Sequence, residues 1–131
     1  MKENDKISRL PDTELEIMKV IWNSRETLST SEIKERLEVR RPWNISALQT
    51  LLNRLIDRGF LESYKEGKNR FYMASIEETA YLALENRLFL DKVNNNSLTK
   101  LVASLYDSRA ISQNDLDDLA AYIRRKTGGE S

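Results

Sequence analysis

The N-terminal half of the chain contains three stretches in which apolar side chains recur every three to four residues. This spacing places the apolar side chains on one face of an α-helix. The positions are Leu15, Met18, Ile21 and Trp22 in the first stretch, Ile33 and Leu37 in the second, and Ile45, Leu48, Leu51, Leu52, Leu55 and Ile56 in the third. The pattern predicts three amphipathic helices, of which the second is short.

Polar residues mark the predicted starts of the first two helices. Asp12 or Thr13 is suited to cap the first helix, and Thr13 has capping-box spacing to Glu16. Ser29 and Glu32 repeat that spacing before the second helix. In a capping box the two side chains each accept a hydrogen bond from a backbone N–H that the helix leaves unpaired. We therefore expect such a box at both starts.

The third predicted helix begins after Asn44, a favourable N-cap residue, and ends at Gly59, a residue type common just beyond helix ends. Beyond it the period changes to two, so that residues 60–64 and 70–74 are predicted strands around a turn at 65–69. Three helices followed by a hairpin make a winged helix-turn-helix. A small α+β domain with a solvated hairpin has the same order of elements and remains the alternative.

The outward face of the third helix is unusually poor in charge. The stretch from Trp43 to Leu55 holds one charged residue in a chain that is 32% charged. Short hydrogen-bonding groups and methyl groups suit the edges of bases in the major groove. The candidate base-reading residues are Ser46, Ala47, Gln49, Thr50 and Asn53. An ordinary polar helix face is the alternative.

Basic residues surround this face. Residues 40–70 hold seven Lys and Arg against three Asp and Glu, although the whole chain has 21 of each. Long cationic side chains reach phosphate oxygens, which position a protein on DNA without reading its sequence. The candidate phosphate-binding residues are Arg40, Arg41, Arg54, Lys65, Lys68 and Arg70. A solvated basic surface is the alternative.

The composition argues against an enzyme. The 131 residues include no cysteine and no histidine, which excludes disulfides, thiolate metal sites and histidine general bases. The acidic residues lie singly on predicted helix faces, and the four glycines form no phosphate-binding loop. We therefore expect no catalytic site, no metal and no cofactor, with a catalytic pair of carboxylates as the alternative.

The chain shows no membrane or export signal. Its apolar runs are far shorter than the roughly 20 residues that span a bilayer. Residues 1–6 carry charges of both signs and lead into no apolar signal core. We therefore expect a soluble protein that stays in the cytoplasm.

The last third of the chain predicts three more amphipathic helices, the third starting at Ser112, with a turn at 94–96. Their apolar positions are Leu82, Leu84, Leu88 and Phe89, then Leu98, Leu101, Val102 and Leu105, then Leu116, Leu119, Tyr122 and Ile123. About 50 residues of helix cannot easily bury three such faces alone. We expect a homodimer through the last two helices, with packing against the winged helix as the alternative.

These patterns together predict the organisation of the chain. We expect a mostly α fold with a small β-hairpin wing, made of an N-terminal winged helix-turn-helix and a C-terminal helical dimerisation region. The winged-helix DNA-binding domain is predicted over residues 1–76, and the helical dimerisation domain over residues 77–131.

Several short motifs also carry a family resemblance. They are LPDTELEIMKVIW at 10–22, Trp43-Asn44, TLLNRL at 50–55, Arg58-Gly59, KEGK at 65–68 with Tyr72, and SLTKLV at 97–102. In order and spacing they resemble the penicillinase and methicillin repressors (BlaI/MecI), whose wider family includes the copper repressor CopY. The resemblance covers nearly the whole chain. It implies a homodimeric bacterial repressor that binds a palindromic double-stranded DNA operator and silences resistance or stress genes.

Two features depart from that family pattern. The copper-responsive relatives carry a C-terminal cysteine cluster, and this chain has no cysteine, which excludes thiolate copper sensing. The antibiotic-responsive relatives are cut at an Asn-Phe bond near the start of the penultimate helix, so the resemblance implies a membrane protease as a regulatory partner. The matching bond here is Asn96-Ser97, which leaves induction by cleavage open.

Two functions of different classes follow from the sequence. The leading one is a DNA-binding repressor. The alternative is a winged-helix module that uses the same polar face and wing to bind a protein partner. Salt dependence separates them, because DNA binding that neutralises several phosphates weakens steeply as salt rises.

Overall fold

The computed structural model describes residues 7–128, which form six helices and three short strands. In chain order they are α1 (Asp12–Trp22), β1 (Leu28–Ser29), α2 (Thr30–Leu37), α3 (Ile45–Asp57), β2 (Leu61–Glu66), β3 (Asn69–Ala74), α4 (Glu78–Asn94), α5 (Leu98–Asp107) and α6 (Gln113–Thr127). The predicted mostly α fold with a small β wing is confirmed. The prediction that no signal sequence is present concerns residues 1–6, which lie outside the described residues.

The starts of the first two helices differ from each other. At α2 the Ser29 Oγ accepts the backbone N–H of Glu32 at 3.2 Å and the Glu32 carboxylate accepts that of Ser29 at 2.8 Å, so this capping box is confirmed. The box expected at Thr13 is wrong. The first helix begins at Asp12, and Pro11 occupies the N-cap position without a side-chain cap, which places Thr13 inside the first turn.

A three-stranded antiparallel sheet joins the helices, in the order β1-β3-β2. Strand β1 was not expected; it pairs Leu28 with Tyr72 at the centre of the sheet. The hairpin strands run further than expected, because Glu66 pairs with Asn69 and leaves a two-residue turn. Gly67 in that turn has φ +65, a conformation that glycine adopts without strain.

Helix α3 has the expected ends. The Asn44 Oδ1 accepts the backbone N–H of Ala47 at 3.0 Å, and Gly59 after the helix has φ +84. The inner face is anchored by side chains that are fully buried, namely Leu48, Leu52 and Leu55. Ile45 was expected on that face but is 47% exposed, because it occupies the first helical turn at the edge of the domain.

The first compact unit continues through Glu85, past the boundary expected at residue 76. Tyr81 of α4 explains the difference, since it is fully buried with its ring centroid 5.7 Å from that of Trp22 and 5.8 Å from that of Phe60. Its hydroxyl accepts the backbone N–H of Leu10 at 2.8 Å and donates to the Glu85 carboxylate at 2.6 Å. The start of α4 is therefore part of the first core.

Candidate nucleic-acid interface

Helix α3 presents most of its predicted base-reading residues to solvent. Ser46, Ala47, Thr50 and Asn53 are all exposed, as the helical period predicts. The Thr50 hydroxyl donates to the Ser46 carbonyl at 3.1 Å, which leaves the Thr50 methyl group and its oxygen lone pairs for a ligand. The exposed groups are short and uncharged, and they fit the donors, acceptors and methyl groups of base edges.

Gln49, the fifth predicted base-reading residue, has a different environment. It is partly buried, and its Nε2 donates a hydrogen bond to the Tyr72 hydroxyl at 3.0 Å. Tyr72 lies on the central strand β3 and is fully buried. Gln49 therefore lies at the edge of the α3 face where that face meets the sheet.

A groove of about 370 Å³ lies between the start of α2, helix α3 and the wing. Its lining comprises Ser29, Thr30, Ser31, Gln49, Lys65, Lys68, Asn69 and Arg70. Four of these are predicted site residues that the fold brings together. The hydroxyl-bearing residues of α2 were missed by the sequence reasoning, because the capping box marks the helix start but does not show that it faces the wing.

The wing supplies exposed cations beside this groove. Lys65 and Arg70 face each other across β2 and β3, and Lys68 lies in the turn between them. The Arg70 guanidinium donates to the Ser63 hydroxyl at 2.9 Å. None of the ion pairs formed within residues 7–128 includes these three cations. Glu66 at the same turn offsets part of their charge, so the wing remains moderately basic.

The two arginines before α3 differ in their surroundings. Arg41 forms an ion pair with Glu16, with 2.7 Å between Nη2 and Oε1, and its guanidinium lies 4.5 Å from the centre of the Trp43 ring. Arg40 is exposed and enters no ion pair within the described part of the chain. Arg40 is thus the freer of the two to meet a phosphate.

Glu38 fixes the loop that leads into α3. Its carboxylate accepts one hydrogen bond from the Lys34 ammonium at 2.8 Å and another from the backbone N–H of Trp43 at 3.2 Å. These hydrogen bonds, that of Lys34 first, lower the pKa of Glu38 below its usual value. The loop is therefore tied to α2 immediately before the N-cap of α3.

Arg54 shares a buried acidic partner with Arg58. The Glu14 side chain is 2% exposed, and its oxygens lie 3.8 Å from the Arg54 Nη1 and 3.3 Å from the Arg58 Nη1. This arrangement links α1 to the last turns of α3. Arg54 and Arg41 consequently differ from the wing cations, because each already has an acidic neighbour that a phosphate must displace.

The second compact unit, which begins at Asn86, carries the predicted dimerisation residues on α5 and α6. No residue of these two helices is buried in the single chain. Leu98 is 54% exposed, Tyr122 50% and Ile123 45%, and the other members of the set are partly buried. Those other members are Leu101, Val102, Leu105, Leu116 and Leu119.

Two further kinds of feature are absent from residues 7–128. Acidic side chains there form no group of three or more that could hold a metal ion. None of the helices in this range combines the length and apolar character needed to cross a membrane.

A family model and two relatives agree on the family to which this chain is similar. Residues 10–125 match the family model described as penicillinase repressor. The penicillinase repressor of Bacillus licheniformis is 32% identical over 114 residues, which cover 87% of this chain and 88% of that protein. The methicillin resistance regulatory protein MecI of Mammaliicoccus sciuri is 25% identical over 123 residues, covering 94% and 99%.

A solved structure also resembles part of the chain. The solution structure of the DNA-binding domain of the repressor BlaI has a TM-score of 0.50 and 40% sequence identity, covering 62% of this chain and 94% of that domain. The resemblance expected from the motifs is therefore confirmed. The chain belongs to the penicillinase repressor family, whose members are DNA-binding transcriptional repressors and not enzymes.

Proposed function

We propose that the chain represses transcription by binding a palindromic DNA operator as a homodimer, and that it controls bacterial resistance or stress genes. The observation that carries this proposal is the uncharged polar face of α3, bordered by a groove with three wing cations. A helix of this kind fits the major groove, and cations beside it reach the phosphate backbone. The names of the penicillinase and methicillin relatives support control of resistance genes.

In this proposal one set of residues contacts base edges and a second set contacts phosphates. The base-reading set is Ser46, Ala47, Gln49, Thr50 and Asn53, and the phosphate-binding set is Arg40, Arg41, Arg54, Lys65, Lys68 and Arg70. Within the second set we assign the leading role to the wing and Arg40, because Arg41 and Arg54 already have acidic partners. The first unit, through Glu85, is the DNA-binding part in this proposal.

The second unit is the dimerisation part. Its partly buried leucines and exposed Tyr122 and Ile123 form apolar faces that another copy would cover. A two-fold dimer presents two copies of α3, and operator half-sites about one helical turn of DNA apart would receive them. Such a repressor acts in the bacterial cytoplasm.

We propose separately that a membrane protease regulates the repressor by cleaving it. Asn96 is exposed between α4 and α5, and Ser97 caps α5 by accepting the backbone N–H of Lys100 at 3.1 Å. Cleavage at Asn96-Ser97 would separate α4 from α5 and remove the dimerisation face. Mass spectrometry of the repressor from induced cells would detect the two fragments, and an intact chain after induction would rule this route out.

The test of the DNA-binding proposal compares Thr50→Ala with Lys68→Ala in the full chain. Thr50→Ala removes a base-edge contact worth about 1–3 kcal/mol, so it should weaken operator binding and lower discrimination against scrambled DNA. Lys68→Ala removes one phosphate contact, so it should weaken both duplexes alike and reduce the log-affinity slope against log salt by about 0.9.

The measurement is fluorescence anisotropy with operator and scrambled duplexes at several salt concentrations. Lys92→Ala is a matched control, because Lys92 is an exposed lysine of α4 in the second unit and belongs to neither set of proposed contacts, so it should change neither affinity nor discrimination. Loss of discrimination in Lys68→Ala, with Thr50→Ala unchanged, would reverse the two assignments. Absence of salt-dependent DNA binding in the wild type would favour the protein-interaction module.

A further inference from the structure

The Tyr72 hydroxyl is a polar group in the core that the proposed DNA contacts do not use. Tyr72 is fully buried on β3, between β1 and β2. Its hydroxyl oxygen accepts the Nε2–H of Gln49 at 3.0 Å. This hydrogen bond thus connects the core of the domain directly to one side chain of the α3 face.

This hydrogen bond constrains the Gln49 amide. A glutamine amide has two N–H donors and one carbonyl acceptor. One N–H is directed at Tyr72, so the second N–H and the Oε1 remain together on the other side of the amide. In this arrangement the Nε2 end of the amide lies at Tyr72 and the Oε1 end is turned away from it.

A donor and an acceptor side by side match one base in the major groove. Adenine presents N7 as an acceptor and N6–H₂ as a donor, and a glutamine amide can satisfy both at once. An amide that rotates freely presents that pair in the required direction only part of the time. We infer that Tyr72 is a positioning residue that holds Gln49 in the orientation that reads adenine.

This inference rests on the proposed function, since it presupposes that α3 reads base edges. Immobilising a flexible side chain at an interface costs about 0.5–1.5 kcal/mol, and an interaction made before binding removes part of that cost. Tyr72→Phe keeps the ring and deletes the hydroxyl. It should therefore weaken operator binding about two- to tenfold at each half-site.

The test uses the full chain and a duplex selected by the wild-type protein from a randomised library. Affinities are measured for that duplex, for single base-pair substitutions through each half-site, and for scrambled DNA. Tyr72→Phe should lower the preference for adenine at the position read by Gln49, while leaving affinity for scrambled DNA and the salt slope unchanged. Equal weakening on every duplex would mean a purely structural role and would overturn the inference.

Tyr64→Phe is the matched control. Tyr64 lies on β2 of the same sheet, and its hydroxyl is 3.3 Å from the Thr27 hydroxyl, whereas the Gln49 amide bonds to Tyr72. Removing this hydroxyl should leave the base preference unchanged. Thermal unfolding of both variants shows whether either substitution alters the fold.

A double-mutant cycle distinguishes a failure of the positioning role of Tyr72 from a failure of the base-reading role of Gln49. In a Gln49→Ala background, Tyr72→Phe should cost nothing further in discrimination, because Tyr72 acts through Gln49. An equal cost in both backgrounds would overturn the positioning role alone. If Gln49→Ala itself keeps full discrimination, the base-reading role assigned to Gln49 fails instead.

Discussion

The two compact units of the chain bury their apolar side chains very differently. The fifteen buried hydrophobic residues of the described chain all lie between Leu10 and Tyr81, within the first unit. From Asn86 onward, Asn94 is the one described residue that is buried, while large side chains such as Leu98 and Phe89 are about half exposed. The first unit therefore has a core of its own, whereas the large apolar side chains of the second unit stay partly exposed in the single chain.

This difference explains how the proposed functions are divided. A self-sufficient core holds α3 and the wing in a fixed geometry, which base reading requires. Amphipathic helices without a core gain stability mainly through packing against a partner. We therefore expect the first unit to fold as a monomer. We expect folding of the second unit to be coupled to its association with another copy of the chain.

The largest expected effect follows from placing a charge in the apolar face of α5. Leu101→Asp should leave an unpaired charge in the dimer interface, which costs about 3–5 kcal/mol when buried. The protein should become monomeric at micromolar concentration. Operator affinity should fall by roughly 10²–10⁴, because binding by two linked half-sites is lost. Sedimentation velocity and anisotropy measure the two effects.

Ala103→Asp is the control for this substitution, because it adds the same charge on the exposed, opposite side of α5. It should remain dimeric with near wild-type affinity. A dimer that persists in Leu101→Asp would place Leu101 outside the interface and weaken the contrast between the units.

The next effect concerns Tyr81, which places the start of α4 in the first core. Tyr81→Ala removes a fully buried aromatic ring and should lower the free energy of unfolding of the first unit by about 3–5 kcal/mol. Urea denaturation followed by tryptophan fluorescence reports this unit alone, because both tryptophans, Trp22 and Trp43, belong to it.

Phe89→Ala is the matched control on the same helix, since Phe89 is 45% exposed and lies in the second unit. It should leave the tryptophan transition unchanged. A fragment ending at residue 85 should likewise be far more stable than one ending at 76. Equal stability of the two fragments would mean that the boundary expected from the sequence was adequate.

Local signals explain which parts of the fold were predictable. The capping box at Ser29, the Asn44 cap and Gly59 depend on residues close in sequence, and the structure confirms all three. Hydrophobic periodicity gave six helices and a hairpin for the same reason. The positions of the candidate site residues on α3 and the wing followed from this periodicity, although their DNA contacts stay predictions.

The features that were missed depend on tertiary contacts. Strand β1 has only two residues, too few for a period to show, and it exists because Leu28 pairs with Tyr72. The packing of Tyr81 in the first core depends on contacts with two aromatic rings that are distant in sequence. The bond between Gln49 and Tyr72 joins residues 23 positions apart, which no local pattern reveals.

The smallest expected effect compares one type of cap in the two units. Ser29 and Ser112 both form capping boxes, with Glu32 at α2 and with Asp115 at α6. Either Ser→Ala substitution should cost about 1 kcal/mol, because one backbone N–H loses its partner. Ser29→Ala should shift the tryptophan transition at any protein concentration. Ser112→Ala should instead shift a circular-dichroism transition whose midpoint rises with protein concentration, since folding there is coupled to association. If Ser112→Ala shifts the tryptophan transition as far as Ser29→Ala does, the two units unfold together and their independence is disproved.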